Sequence, residues 1–451
     1  MVGLMITHSI IQKSQLEGAS RLDAEYYQPE YLERMKKLKL LPTGKLGDVA
    51  YITDGEHGSP IFDEKSGIKY FSAQHVRNGF IDDSEAKNIS KIIDEKNKRS
   101  RLREGDVLLS TVGTIGFAGL VTEGLLPANI DRHVARIALK EKTLDPHFLV
   151  AFLNSSFGRF QTVREATGNV QLNLFIDKIK ELRVPKTNDH EVSQMVKNAL
   201  RELRNSKALY SQAEDLLLKE LKLKDFQPKE ELSYIVNLSD VKSTHRADAE
   251  YFQPKYEKIK EKIKKQNIKL LGNLVSLRKG FEPGSDEYQN EGKLFIRVSN
   301  ISKHGLIDKD QKYLSDGLYQ NLRKDFEPKA GDILLTKDAT PGIAYVLKES
   351  IEGIIAGGIL RLILKEDIEP EYLALCINSI IGQMQIAQDS GGSVIAHWKP
   401  EEIKKLRVPV ILKPAQKNIA DLVHQSHQAR KKAKELLGKA KREVEDFIEK
   451  K

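Results

Sequence analysis

The 451-residue sequence contains one cysteine, Cys376, and one tryptophan, Trp398. A single cysteine rules out an intrachain disulfide and a thiolate metal cluster, and it fits a reducing compartment better than secretion. No apolar run approaches the roughly 18 residues needed to span a bilayer. Met1–Lys13 lacks the basic region, long apolar segment and small-residue cleavage site of a secretory signal, so the expected location is cytoplasmic, with no membrane partner. The glycine-rich run Gly113-Thr-Ile-Gly116-Phe-Ala-Gly119 fits neither a dinucleotide fingerprint nor a Walker loop, and a hairpin turn accounts for it. No motif of the Asn-Pro-Pro-Tyr type is present, and no strand leads into a cofactor-binding glycine loop. The expected list of catalytic residues and metal ligands is therefore empty.

What the chain does have is positive charge and repetition. Lys and Arg number 73 against 64 Asp and Glu, a formal net charge of +9, with a sequence pI of about 9.1. That balance favours an anionic partner, nucleic acid before a membrane surface. Repetition is the stronger signal. Arg21-Leu-Asp-Ala-Glu-Tyr-Tyr-Gln-Pro-Glu-Tyr31 returns as Arg246-Ala-Asp-Ala-Glu-Tyr-Phe-Gln-Pro-Lys-Tyr256. Gly105-Asp-Val-Leu-Leu-Ser110 returns as Gly331-Asp-Ile-Leu-Leu-Thr336, and Leu182-Arg-Val-Pro185 as Leu406-Arg-Val-Pro409. Weaker echoes keep the same order: Asn78-Gly-Phe-Ile-Asp82 with His304-Gly-Leu-Ile-Asp308, and Leu153-Asn-Ser155 with Ile377-Asn-Ser379. Preserved order and spacing read as a duplicated domain pair, since solenoid repeats have far shorter periods.

Each half follows one plan. An amphipathic segment (31–40, then 256–265) follows the aromatic motif, with Pro29 and Pro254 where helices like to begin. Short β-branched runs broken by turn residues come next: 69–72, 106–112 and 133–139, then 294–298, 332–336 and 360–364. Helices are expected near 146–156 and 370–381. Each half closes with Leu-Arg-Val-Pro and a long charged stretch, 189–224 and 414–451. There apolar residues step by three and four (Val192, Val196, Ala199, Leu203, Tyr210, Ala213, Leu217; then Val423, Ala433, Leu437, Ala440, Val444, Phe447). This is a coiled-coil pattern that Ser206, Ser426 and Arg430 interrupt. A helix of about 35 residues rises roughly 50 Å, against about 34–36 Å for a turn of B-DNA. Such a spacer could set two domains on one duplex.

These motifs, with Thr167-Gly-Asn-Val-Gln171, resemble the specificity subunit of type I restriction–modification systems over nearly the whole chain. The expected fold class is α+β. Two β-rich target-recognition domains (1–187 and 226–411) alternate with two long helices (188–225 and 412–451) that pair as an antiparallel coiled coil, giving a pseudo-two-fold internal repeat. The resemblance implies a non-catalytic chain that reads a bipartite, asymmetric target in double-stranded DNA. It also implies docking of two adenine-methylating modification subunits and of restriction subunits that translocate and cut DNA. S-adenosylmethionine, ATP and magnesium would belong to those partners, and this chain would bind no cofactor.

Base readout needs paired donors and acceptors, Arg or Lys for guanine and Asn or Gln for adenine, while phosphates need only a cation, hydroxyl or amide. The candidate DNA-binding residues are His57, Ser59, Gln74, His75, Arg77, Asn78, Thr111, Arg132, Asn169 and Gln171 in the first half. In the second half they are Lys279, Arg297, Asn300 and Lys337. Trp398 reads as a packing residue, and Arg21 with Asp23 as an ion pair beside packed tyrosines. His424 and His427, three apart on a helix, read as a solvated face. Two other classes stand beside the resemblance. One is a nuclease or methyltransferase, for which Asp94-Glu95-Lys96 is a fragmentary signal in an exposed-looking stretch. The other is a coiled-coil assembly scaffold that never touches DNA, or the specificity chain of another multisubunit restriction system.

Overall fold

The computed structural model describes residues 8–14, 16, 21–140, 144–168, 171–186, 189–308, 310–390 and 397–450. The chain is mixed α and β and divides into two compact units, Met1–Leu203 with Lys431–Lys451, and Arg204–Arg430. Its two long helices run His190–Glu220 and Lys413–Glu449.

In the first unit the strands are β1 (Thr43–Lys45), β2 (Ala50–Asp54), β3 (Lys69–Phe71), β4 (Lys87–Asn88), β5 (Val107–Ser110), β6 (Ala118–Leu120), β7 (Ala128–Ile130), β8 (Val134–Leu139) and β9 (Arg183–Pro185). They form a four-stranded sheet in the order β2-β8-β5-β6, a three-stranded sheet β4-β3-β7, and the pair β1-β9. Within these ladders of the described residues, β3 and β7 are the parallel pair. β5 and β8 bury almost every side chain, as strands covered on both faces do. The sheet packs on helices Pro146–Asn154 and Ser156–Glu165, whose Phe148, Phe152 and Phe157 sit in one core with Val107, Leu109, Ala135 and Ile137. Asp145 caps the first of these helices by accepting the His147 N–H at 2.8 Å, with Pro146 at its first turn.

In the second unit the strands are β10 (Ile268–Leu270), β11 (Val275–Lys279), β12 (Lys293–Ile296), β13 (Ile301–Ser302), β14 (Gly305–Leu306), β15 (Lys312–Leu314), β16 (Ile333–Thr336), β17 (Ala344–Val346), β18 (Gly353–Ile355), β19 (Ile359–Leu364) and β20 (Arg407–Pro409). The sheet orders are β11-β19-β16-β17, β15-β12-β18 and β10-β20, with a small β13-β14 ladder besides. The parallel pair is again the second of these, β12 with β18. Trp398 is 1% exposed and lies in the main core of this unit with Tyr372, Ile403 and Leu406.

Each unit holds a stretch of both long helices. In the first, Val192, Val196, Ala199 and Leu200 share a core with Ala433, Leu437, Ala440, Val444 and Ile448, and Lys432 pairs with Glu202 at 2.8 Å. In the second, Tyr210, Ala213 and Leu217 share a core with Ile419 and Val423. The polar interruptions expected at Ser206 and Ser426 turn out to be partners. Their hydroxyls lie 3.1 Å apart, and the Ser426 hydroxyl donates to the Ser206 carbonyl at 2.6 Å. Two small residues facing each other let backbones approach while satisfying each other's polar atoms. His427 also departs from expectation, because it is buried. Its Nε2 lies 3.2 Å from the Lys303 carbonyl oxygen, its ring centroid lies 5.3 Å from that of Tyr345, and burial pushes its pKa down to about 4. The position looks solvated in sequence because the turn that covers it lies 124 residues away. Cys376 is likewise buried, its thiol pushed up to about 12. Among the described residues no helix is long and apolar enough to cross a membrane, and no group of three His, Cys, Asp or Glu is placed to hold a metal ion.

Candidate nucleic-acid interface

Two strand connections build a cleft in the first unit. After β2, Gly55 lets the chain press against β7, since a Cβ there would lie 1.8 Å from the Ile130 carbonyl oxygen. The backbone then pairs Glu56 with Asp131. After β3, the turn Ala73–His75 folds back on Ser72, whose N–H donates to His75 Nδ1 at 2.9 Å. The result is a cavity of about 630 Å³ lined by His57, Ser59, Gln74, His75 and Arg132 of the candidates, together with Glu56, Phe62, Tyr70, Glu85, Lys87, Asp131 and His133.

The lining is electrostatically sorted. Glu56 is buried but ionised, held below the usual carboxylate range first by the Asn97 amide and then by the Gly58 N–H at 2.7 Å, with Lys96 at 3.5 Å. Asp131 is pushed upward by burial, although His133 donates its N–H at 2.9 Å and lies against it at 3.2 Å through Nδ1. His75 is driven toward the neutral form by burial. Exposed donors stand at the mouth. His57 pairs with Asp54 at 2.8 Å, and exposed Arg132 donates through Nε to His133 Nε2 at 3.1 Å. Exposed Gln74 and Arg132 are the side-chain types that bond adenine and guanine in pairs.

The remaining first-unit candidates are elsewhere. Thr111 is buried at the end of β5, its N–H donating to the His133 carbonyl at 3.0 Å. Arg77 lies 3.8 Å from Asp82. Asn78 belongs to a turn that packs on the second long helix, where a Cβ on Gly79 would meet Leu437 at 2.7 Å. Gln171 is exposed on the loop closed by the Thr167–Asn173 bridge, and Asn169 falls outside the described residues. Asp94, expected in an exposed stretch, is buried, accepting from Asn129 at 2.9 Å and Arg101 at 2.7 Å. Sequence reasoning missed Lys87, which projects over the Phe62 ring at 5.1 Å; a two-residue strand gives too little alternation to read.

In the second unit Lys279 is exposed at the end of β11, and Lys337 pairs with Asp338, which His397 also contacts at 2.9 Å. Against the opposing pull of burial, Lys337 and His397 hold the Asp338 carboxyl below its ordinary range. Asn300 is taken up by the fold: its Oδ1 accepts the Arg297 N–H at 3.1 Å, the bond that His75 makes with Ser72. Arg297 reaches Asp310 at 2.9 Å.

The aromatic motifs make the same ion pair and ring contact in both units. Arg21 binds Asp23 through two bonds of 2.6 Å and lies 4.9 Å from the Tyr26 ring. Arg246 binds Asp248 at 2.7 Å and lies 4.6 Å from the Tyr251 ring.

Residues 246–436 match the family model of the type I restriction modification DNA specificity domain. The resemblance read from the sequence is thereby borne out over that stretch. The type I restriction enzyme EcoBI specificity subunit of Escherichia coli is 33% identical over 135 residues, 30% of this chain. The match spans only 28% of that relative's length. Among solved structures, the type I restriction–modification S subunit from M. genitalium aligns at 14% identity and a TM-score of 0.37, covering 90% of this chain and 94% of that one. The HsdS subunit from Thermoanaerobacter tengcongensis aligns at 15% identity and a TM-score of 0.28, with the same coverage of both chains.

Proposed function

We propose, for a chain whose second half carries a type I restriction modification DNA specificity domain, that the whole protein is the DNA-recognition subunit of a type I restriction–modification complex. The observation that carries the reading is the repetition of one strand order. The first unit has the same four-, three- and two-stranded sheets as the unit the family model covers, with the same parallel pair. A recognition fold present twice, with different side chains at its rim, suits a target of two unlike half-sites separated by unread bases.

In this reading the candidate residues divide by setting. Exposed Gln74, Arg132, Gln171 and Lys279 face DNA, whereas His75, Asn300 and Thr111 shape the loops that present them. The long helices form an antiparallel coiled coil that holds the two domains apart and docks two adenine-methylating subunits. Restriction subunits join that assembly. The chain itself contributes addressing and no catalytic step, and S-adenosylmethionine, ATP and magnesium act on the partners.

The test is a map of methylated adenines in host genomic DNA with and without the gene. Loss of one bipartite methylated sequence is the expected result, and an unchanged map overturns the reading. Binding of duplex DNA by the assembled complex should also fall steeply with salt, as counterion release requires.

A further inference from the structure

We propose that each unit sets its base preference at one corner of its fold, where an unchanged backbone frame carries exchanged side chains; this rests on the DNA-recognition reading above. In the first unit the Thr111 N–H donates to the His133 carbonyl, the Leu174 N–H to the Thr111 carbonyl, and the Asp131 N–H to the Phe71 carbonyl, each at 3.0 Å. In the second the Lys337 N–H donates to the Gly358 carbonyl at 2.9 Å, the Trp398 N–H to the Lys337 carbonyl at 2.9 Å, and the Ala356 N–H to the Ile296 carbonyl at 2.8 Å. Strand register identifies these as the same positions: β2 pairs with β8 as β11 pairs with β19, and β5 with β8 as β16 with β19. A glycine keeps the approach close in both, since a Cβ on Gly280 would lie 2.2 Å from the Ala356 carbonyl oxygen, as one on Gly55 would crowd Ile130.

Side chains on this frame do not match. The buried Glu56 and half-buried Asp131 stand where the second unit has Phe281 and Ala356. Arg132 stands where it has Gly357, and Thr111 where it has Lys337. The cation is thus carried by the loop after β7 in one unit and by the end of the β16 strand in the other. Positions kept for stability behave oppositely. Asp106 and Arg136 of the first unit recur as Asp332 and Arg361, bonded through Nε at 2.6 and 2.8 Å. A main chain conserved within one molecule while its projecting chemistry changes is what a reader of two different words requires, because hydrogen-bond type at a fixed position decides which base edge is accepted. In the first unit the corner also forms one wall of the 630 Å³ cleft.

The test uses the full-length chain with the modification subunits that co-purify, selected against randomised duplex DNA. The frame uses main-chain atoms, so Arg132→Ala and Lys337→Ala leave it intact, and Arg132→Lys and Lys337→Arg keep the charge. Arg132→Ala should relax one base position in one half-site by about tenfold or more, leaving the other half-site unchanged, and Lys337→Ala should do the converse. The charge-preserving pair should shift the same positions without altering the salt dependence. Uniformly weaker binding to every sequence, with a salt slope reduced by about one, would mark these side chains as phosphate contacts and overturn the proposal. Changes in both half-sites from one substitution would overturn it too. A wild-type complex that enriches no sequence would instead defeat the DNA-recognition reading itself.

Discussion

The two units share a plan and differ at its edges. Both bury an aspartate–arginine pair between central strands, and in both the arginine also caps the segment leading into the sheet. Arg136 donates to the Arg99 carbonyl at 2.9 Å and Arg361 to the Asp325 carbonyl at 3.4 Å. Between the three-stranded and four-stranded sheets, however, the first unit has a six-residue helix, Lys91–Lys96, and the second an eleven-residue helix, Asp316–Phe326. Each covers the same small core, Ile68, Tyr70, Ile89 and Ile93 in one unit and Phe295, Leu314, Tyr319 and Ile354 in the other. Difference is therefore tolerated where a surface segment need only cover an apolar patch. It is not tolerated where a charge must be satisfied indoors.

The largest effect should come from breaking that shared pair. Asp106→Ala or Asp332→Ala strands a buried guanidinium and should cost about 3–5 kcal/mol, read as loss of the denaturant transition of the affected unit. A mild outcome in one unit alone would show the parallel between them to be superficial.

Acid should separate the units next. His427 in the second has its folded pKa near 4, below the unfolded value of about 6.5. Its contribution is whole above about pH 6.5 and is lost as pH falls toward 4, because only the unfolded chain takes up the proton, for a total of up to about 3 kcal/mol. His304, also in this unit, is pushed down by burial as well, while the first unit has His75 shifted in the same sense. Urea unfolding between pH 7 and 5 should weaken the second unit more, and His427→Gln, neutral throughout, should flatten that slope.

The smallest effect concerns a turn. Gly113 (φ +71°) and Ala339 (φ +60°) take the left-handed conformation in the hairpins after β5 and β16. Ala339→Gly should stabilise the second unit by about 1 kcal/mol and Gly113→Ala should destabilise the first by a similar amount, measured as opposite shifts in melting temperature.

Much of the architecture was legible because it depends on local pattern. The runs around β5, β8, β16 and β19, the helices opened by Pro146 and Pro370, and the ion pairs Arg21–Asp23 and Arg246–Asp248 all announce themselves within a few residues. What was hidden involves distant partners. Ser206 looks like a defect until Ser426 meets it, His427 looks solvated until Lys303 and Tyr345 cover it, and Asp94 looks exposed until Asn129 arrives. The candidate site shows the same limit. Residue type marked His57, Ser59, Gln74 and Arg132, which one cleft gathers. It could not show that His75 and Asn300 are spent on closing turns.

Because the first unit includes Lys431–Lys451, on the far side of Arg204–Arg430, a nascent chain cannot complete the first unit until the second has been made. Ala433, Leu437, Ala440, Val444 and Ile448 complete a core whose other members emerged hundreds of residues earlier. A stop near Arg430 would spare the second unit and leave the first with an open flank.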